Sequence, residues 1–567
     1  MMPVPCWPGS HIALLAAALL ISCPAIAAPA QTPPGNAVAD TAPHGAFGPY
    51  LAGRFAASAA DTAAAAFWLL DASRRDPDQI LVLDAAFLAA VMDGQADATR
   101  LARQQNNNQL AALLLAGADA QAGRWDRAEQ RLRGLPRQGS VQILQPLLIA
   151  WAQAGRGATD TALATLRPFA ESGPMRGLVS LHAAMIADLA DRPRDAERLL
   201  RTALAAMPEP SLRMVQVAAG ILARAGHAAD GARLFDGLAR GTDDVALAAS
   251  PALRRAALGG RPVASAVEGM AEAQLALGSA LRSQGTPDLA VVLARLALRL
   301  RPGFAPALLL AAEALADGNH PGSALAVLSA AHPDDELAPL VTLRRAMLLD
   351  GADRTEEALT TLRQLAAAQP AAAQPPARLG DVLRGRGRFP EAVAAYTEAL
   401  SRLAPGTANW PLHYALGIAL ERAGRWEEAE AEFGRALSLA PDQPAVLNYL
   451  AYSWADRGLR LPEARRMLER AAELRPQDGS IADSLGWVMF RQGDLRGAVE
   501  ALERATELES RNATINDHLG DAYWAVGRLP EARFQWSRAL DLGPEPAEAE
   551  RLLTKLRDGL SASTAAR

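Results

Sequence analysis

The side chains that could support catalysis or bind a metal are few and widely separated in this sequence. Seven histidines follow the first 27 residues, and none of them forms an i, i+4 pair or an H-E-x-x-H motif of the kind that binds zinc. Of the 57 basic residues only Lys555 is a lysine, which removes the phosphate-loop, Schiff-base and kinase lysines from the plausible chemistries. We therefore predict no enzyme activity, no metal site, no cofactor and no small-molecule substrate.

The charge balance argues against nucleic acid as a partner. The formal net charge is -5 over 567 residues, so there is no positive excess to hold a phosphate backbone. Half of the residues are hydrophobic, which is ample for a packed core. Six of the ten tryptophans are crowded between Trp410 and Trp536. These properties indicate a folded protein and make nucleic acid a poor candidate partner, while the uneven distribution of tryptophan requires an explanation.

The amino-terminal residues predict export. The apolar run of ten residues from Ile12 to Ile21 is too short to span a bilayer but suits a secretory signal. Leu20-Ile21-Ser22-Cys23 resembles a lipoprotein signal that ends before Cys23, whereas Ala25-Ile26-Ala27 suits ordinary cleavage after residue 27. Residues 28–46 are a Pro-, Ala- and Gly-rich spacer. We expect a periplasmic protein that is either soluble or anchored through Cys23, with the outer membrane as the candidate location.

The carboxy-terminal third is an internal repeat. Segments that begin at Trp410, Pro444, Gly479 and Ala513 align with a period of 34 residues and one extra residue after Gly458. In the first segment the shared positions are Leu416-Gly417, Gly424, Ala429 and Ala436. A glycine without Cβ lets two helices approach closely, a second glycine suits the turn between them, and alanines seven residues apart share one helix face.

This pattern resembles the tetratricopeptide repeat family, whose unit is a pair of antiparallel helices. The resemblance implies an all-α fold, a right-handed superhelical solenoid of antiparallel helix pairs. Weaker copies of the pattern occur upstream. We expect degenerate repeats over residues 47–370, well-formed repeats over 371–545, and a capping helix and tail over 546–567.

In this family the first helix of each unit lines the concave side, where partner segments dock. Positions five and nine of the unit lie on one face of that helix, and a further position follows three residues later. The partner-binding candidates at these positions are Tyr414, Asn448, Tyr452, Asp483, Trp487, Asp517, Asp521 and Trp524. The aromatic rings suit an apolar or extended partner segment, and the aspartates disfavour a clamp for a terminal carboxylate. Alternatively, the rings pack between adjacent units.

The run from Leu447 to Leu540 is similar to proteobacterial envelope proteins built almost wholly of these repeats. Some of them are outer-membrane lipoproteins that act as adaptors, presenting cell-wall hydrolases to periplasmic carboxy-terminal processing proteases. The resemblance implies a non-catalytic, exported scaffold that binds proteins and touches the membrane only through a lipid anchor. The alternative is a structural accessory of a secretion, polysaccharide-export or envelope-assembly complex.

Overall fold

The computed structural model describes residues 45–560, except for residues 60, 106–107, 137–138, 140, 240–243, 405 and 408. The predicted signal, Cys23 and nearly all of the spacer lie outside these residues. The described chain consists of helices joined by turns and short loops, and it contains no strand. None of its helices combines the length and the apolar character needed to cross a membrane.

The chain divides into two compact units at Gln369 and Pro370. The first unit contains α1 Phe47–Ser58, α2 Thr62–Arg75, α3 Ile80–Asp93, α4 Asp97–Ala102, α5 Gln109–Gln121, α6 Trp125–Arg133, α7 Val141–Gly155, α8 Thr159–Glu171, α9 Arg176–Leu189, α10 Pro193–Ala206, α11 Leu212–Arg224, α12 Ala228–Ala239, α13 Val245–Ala248, α14 Pro251–Gly259, α15 Ala266–Ser283, α16 Pro287–Leu300, α17 Ala305–Asp317, α18 Pro321–Leu328, α19 Ala338–Gly351 and α20 Thr355–Ala368.

The second unit contains α21 Gln374–Gly385, α22 Phe389–Ser401, α23 Trp410–Arg422, α24 Trp426–Leu439, α25 Pro444–Asp456, α26 Leu461–Leu474, α27 Gly479–Arg491, α28 Leu495–Leu508, α29 Ala513–Ala525, α30 Leu529–Asp541 and α31 Pro546–Asp558. Within the second unit, consecutive helices from α21 to α30 pack against each other in pairs, and each pair packs on the next. The predicted all-α fold built from stacked helix pairs is therefore confirmed.

Small residues explain why the helices of the second unit pair so closely. A Cβ on Gly520 would lie 2.4 Å from the Trp536 indole, and one on Gly417 would lie 2.6 Å from the Phe433 ring. The turn between the helices of a pair contains a glycine with positive φ, such as Gly527 at 85°, a conformation that residues with a Cβ adopt at a cost. The repeated alanines of the second helices are fully buried; they are Ala429, Ala464, Ala498 and Ala532.

The first unit has a contact pattern that nearest-neighbour stacking does not produce. Helices α15 and α16 pack against α3, α5, α7 and α9, which are the first helices of four earlier pairs. The Trp151 ring of α7 lies so close to Gly269 of α15 that a Cβ there would be 2.3 Å from the indole. Arg299 of α16 donates hydrogen bonds to the Gln95 carbonyl and the Thr99 hydroxyl, both at 2.8 Å. The chain's own helices thus cover the first-helix side of these pairs.

Candidate protein-binding groove

The predicted binding residues lie on four first helices of the second unit. Tyr414 lies on α23, Asn448 and Tyr452 on α25, Asp483 and Trp487 on α27, and Asp517, Asp521 and Trp524 on α29. Their helices are held in register by the close glycine contacts and the buried alanines described above. The contacts place seven of the eight residues in three groups along the row of helices, and Trp524 lies apart.

The first group surrounds an open recess of about 670 Å³. Tyr414 and Asn448 line it on one side; the other lining residues are Ala445, Arg475, Pro476, Gln477, Asp478, Ser480, Ile481 and Glu509. The Asn448 side chain forms no hydrogen bond with a described residue, and its Oδ1 atom is buried. The recess therefore contains an amide whose hydrogen-bonding capacity is not used inside the described protein.

Tyr414 forms one wall of this recess through an aromatic cluster. Its ring centroid lies 6.4 Å from that of Trp410, 6.1 Å from Phe433 and 5.9 Å from Tyr449. Burial raises the pKa of the Tyr414 hydroxyl, so that the side chain stays neutral. Because three rings hold it, Tyr414 presents a rigid, partly apolar surface to the recess.

The second group is a buried cluster centred on His518, a residue that sequence reasoning did not select. Its Nδ1 atom lies 3.0 Å from each carboxylate oxygen of Asp483. The imidazole stacks on the Trp487 ring with centroids 4.2 Å apart and an interplanar angle of 15°. Tyr452 completes the cluster, with its ring centroid 6.4 Å from the imidazole. Three predicted residues thus meet around one unpredicted histidine.

The electrostatics of this cluster favour a protonated imidazole. Burial opposes the positive charge on His518, but the carboxylate of Asp483, with smaller contributions from Asp517 and Asp521, outweighs burial and raises the pKa of His518. Burial, followed by the carboxylates of Asp456 and Asp483, raises the pKa of Tyr452. The Asp483 carboxylate is therefore engaged by the imidazole of His518 inside the protein.

The third group is held by the single lysine of the sequence. Lys555 Nζ on α31 donates to the Asp517 carboxylate at 2.6 Å and to the Asp521 carboxylate at 2.8 Å. The Trp536 indole N–H also donates to Asp521, at 2.9 Å. Burial, and then the neighbouring Asp517, raise the pKa of Asp521, while Lys555 lowers it. The two aspartates are thus partners of α31.

Trp524 lies at the far end of α29 and is partly buried against its neighbours. Its ring centroid is 5.3 Å from that of Trp536, and a Cβ on Gly559, just after α31, would lie 2.1 Å from the Trp524 indole. Trp487 is likewise partly buried, since it stacks on Phe490 at 5.2 Å as well as on His518. The sequence contains only a weak signal for the contacts of His518 and Lys555. His518 follows Asp517 directly, and Lys555 lies one repeat length after Asp521.

Parts of the chain match the sequence profiles of known families. A sequence profile for a tetratricopeptide repeat-like domain matches residues 303–422, and tetratricopeptide repeat profiles match residues 410–443 and 484–547. These segments are similar to tetratricopeptide repeats. Within the described residues, no group of three or more His, Cys, Asp or Glu side chains is arranged to hold a metal ion.

Two relatives are similar over part of their length. The TPR repeat-containing protein PA4667 of Pseudomonas aeruginosa is 31% identical over 167 residues, which are 29% of this chain and 28% of that protein. Protein O-mannosyl-transferase Tmtc1 of Drosophila melanogaster is 34% identical over 105 residues, 18% of this chain and 12% of that protein. The chain thus spans less than a third of either relative.

Among solved structures, the hetero-tetramer Cut9-Hcn1 of the APC/C is similar over 91% of this chain and 96% of that chain, with 15% identity and a TM-score of 0.38. Tetratricopeptide repeats commonly mediate protein–protein interactions.

Proposed function

We propose that this protein is an exported scaffold of the cell envelope that binds a segment of a partner protein in the recess between Tyr414, Asn448 and Ser480. The observation that carries the proposal is the open recess of about 670 Å³ on the first-helix side of the second unit. In the first unit the corresponding side of four pairs is covered by α15 and α16. The recess is therefore the place where a partner segment finds polar and aromatic side chains within reach.

The chemistry of the recess suits an extended peptide. The side-chain N–H groups of Asn448 can donate to a peptide carbonyl of the segment, whereas its Oδ1 atom is enclosed by the protein. Arg475 and Glu509 provide charges of both signs at the rim, so a segment of mixed charge fits better than a strongly acidic or basic one. The fixed ring of Tyr414 can cover an apolar side chain of the segment.

We further propose that the partners are a periplasmic carboxy-terminal processing protease and the cell-wall hydrolases that it degrades. The resemblance of the run from Leu447 to Leu540 to envelope adaptors supports this proposal. An adaptor needs no catalytic group, because holding protease and substrate on one body raises their effective concentration. A role in a secretion or export complex would bring other partners to the same recess.

The location belongs to the same proposal. The lipobox-like residues that end at Cys23 support an anchor in the outer membrane, and the A-x-A pattern that ends at Ala27 supports release into the periplasm. Partitioning of wild type and Cys23→Ser between detergent and water decides between these two forms. A shift of the Cys23→Ser protein to the aqueous phase supports the anchor, and equal partitioning contradicts it.

Photocrosslinking in living cells tests the partner proposal. A photoreactive phenylalanine derivative at Ser480 faces the recess, while the same group at Phe534, whose side chain is 62% exposed on α30, is the matched control. We expect protease and hydrolase peptides to be crosslinked at position 480 and not at 534. Crosslinks only to secretion or export components would replace the adaptor role, and equal crosslinks at both positions would contradict binding in the recess.

A further inference from the structure

The first three helices expose an unusual number of large apolar side chains. We call Phe47, Leu51 and Phe55 of α1, Phe67 and Trp68 of α2, and Ile80 and Leu81 of α3 the N-terminal apolar surface. Phe47, Phe55 and Ile80 are 73%, 76% and 70% exposed. The other exposed large apolar residues of the described chain are scattered from Leu88, which also lies on α3, to Leu553. A concentration of this kind marks a surface that contacts something apolar.

The arrangement on α1 is that of an amphipathic helix without a partner. Phe47, Leu51 and Phe55 follow each other at intervals of four residues and therefore lie on one face of the helix. The opposite side packs on α2, with Gly53 and Ala56 buried. The terminal pair of a helical repeat array normally presents a polar outer face to water. Here the outer face of α1 is aromatic and aliphatic, and no described residue covers it.

We propose that the N-terminal apolar surface docks on the lipid bilayer. Cys23, the candidate lipidation site, precedes Phe47 by 24 residues, so that a chain anchored there can extend at most about 80 Å. The anchor therefore leads into the folded protein at α1, and the bilayer is the apolar partner held closest to this surface. The argument that the bilayer is held near this surface rests on the lipid anchor of the proposed function. The affinity of the surface for lipid does not depend on that anchor.

The charges near the surface define which lipids it fits. Residues 47–93 contain six aspartates, Asp61, Asp71, Asp76, Asp78, Asp84 and Asp93, and three arginines, Arg54, Arg74 and Arg75. An excess of acidic residues excludes attraction to anionic headgroups as the driving force. Phe, Leu and Trp side chains instead enter the boundary between headgroups and acyl chains, where burial of apolar area stabilises the bound state. We therefore expect binding to zwitterionic vesicles, with little dependence on salt.

Vesicle flotation of the full chain carrying Cys23→Ser tests this inference without a lipid anchor or a protein partner. We expect the chain to float with phosphatidylethanolamine and phosphatidylcholine vesicles in both low and high salt. Phe47→Ser combined with Phe55→Ser should lower the partition coefficient at least about tenfold, because two exposed rings lose their apolar contact with lipid. Phe169→Ser combined with Phe534→Ser, at positions 44% and 62% exposed, is the matched control and should float like the parent.

The inference is overturned if the parent chain does not float, or if both double variants float equally. A parent that is dimeric in light scattering and becomes monomeric with Phe47→Ser and Phe55→Ser, without floating, would identify a second copy as the occupant. Flotation with vesicles would still support the inference if detergent partitioning showed that Cys23 carries no lipid. The two proposals therefore fail separately.

Discussion

At the residue scale, two basic side chains determine what the aspartates of the first helices do. His518 lies against Asp483, and Lys555 lies between Asp517 and Asp521. Sequence reasoning placed these aspartates on the correct helices, because the position within a repeat fixes the helix face. Their basic partners could not be predicted, since they lie 34 to 38 residues away on other helices and depend on how those helices pack.

The His518 cluster predicts a pH dependence of stability. The pKa of His518 is raised in the folded chain, so protonation stabilises the fold fully below the unfolded pKa of about 6.5, and this contribution is lost as the pH rises through the folded pKa. Melting temperatures between pH 6 and pH 9 should therefore fall more steeply for the wild type than for His518→Gln. Parallel curves for the two proteins would contradict a charged His518–Asp483 pair.

The Lys555 contacts predict that removing this one charge lowers the free energy of unfolding substantially. Lys555→Ala leaves the buried Asp521 beside Asp517 without a cation, which should lower the free energy of unfolding by roughly 2–4 kcal/mol. Lys555→Arg keeps the charge and is the control. Urea unfolding followed by tryptophan fluorescence measures the change. An unaltered midpoint for Lys555→Ala would show that the two aspartates do not depend on α31.

At the element scale, the repeat period explains contacts between helices that are neighbours in sequence, but not contacts between distant helices. A period of 34 residues encodes contacts between neighbouring helices, and the second unit follows it from α23 to α30. The packing of α15 and α16 on α3, α5, α7 and α9 joins residues such as Trp151 and Gly269, which are far apart in sequence. No local pattern carries that information, because it depends on how successive pairs turn relative to each other.

Two glycines inside helices, one in a close contact and one without any, test the close pairing of helices. Gly520→Ala places a Cβ 2.4 Å from the Trp536 indole and should destabilise the chain by about 1–3 kcal/mol. Gly434→Ala, inside α24 with no atom within 4 Å of the added Cβ, should stabilise it by about 0.5–1 kcal/mol. Calorimetric melting of both variants checks the difference in sign. Equal effects would mean that helix propensity, and not contact, governs both positions.

At the scale of the whole molecule, the two units differ in what they leave open. The first unit covers the first helices of four pairs with its own α15 and α16, whereas the second leaves the recess around Asn448 accessible. Sequence reasoning predicted the repeats in both, but the recess depends on the loop that follows α26 and on the start of α27. Those residues were not selected because they lie outside positions five and nine.

The cover formed by α15 and α16 predicts a local response. Gly269→Ala puts a Cβ 2.3 Å from the Trp151 ring and should loosen α15, so that amide hydrogen exchange in α15 and α16 becomes faster. Gly237→Ala, with no atom within 4 Å, is the control and should leave these helices protected. Unchanged protection in Gly269→Ala would contradict tight packing of α15 on α7.

Affinity of the crosslinked partner for recess variants tests the central claim most directly. Asn448→Ala removes an amide that makes no hydrogen bond with a described residue, so the melting temperature should not change, while the Kd should rise about tenfold through the loss of hydrogen bonds to the partner. Glu427→Ala, exposed on α24, is the matched control and should bind like the wild type. If Asn448→Ala binds the partner as tightly as Glu427→Ala does, the recess is not the binding site.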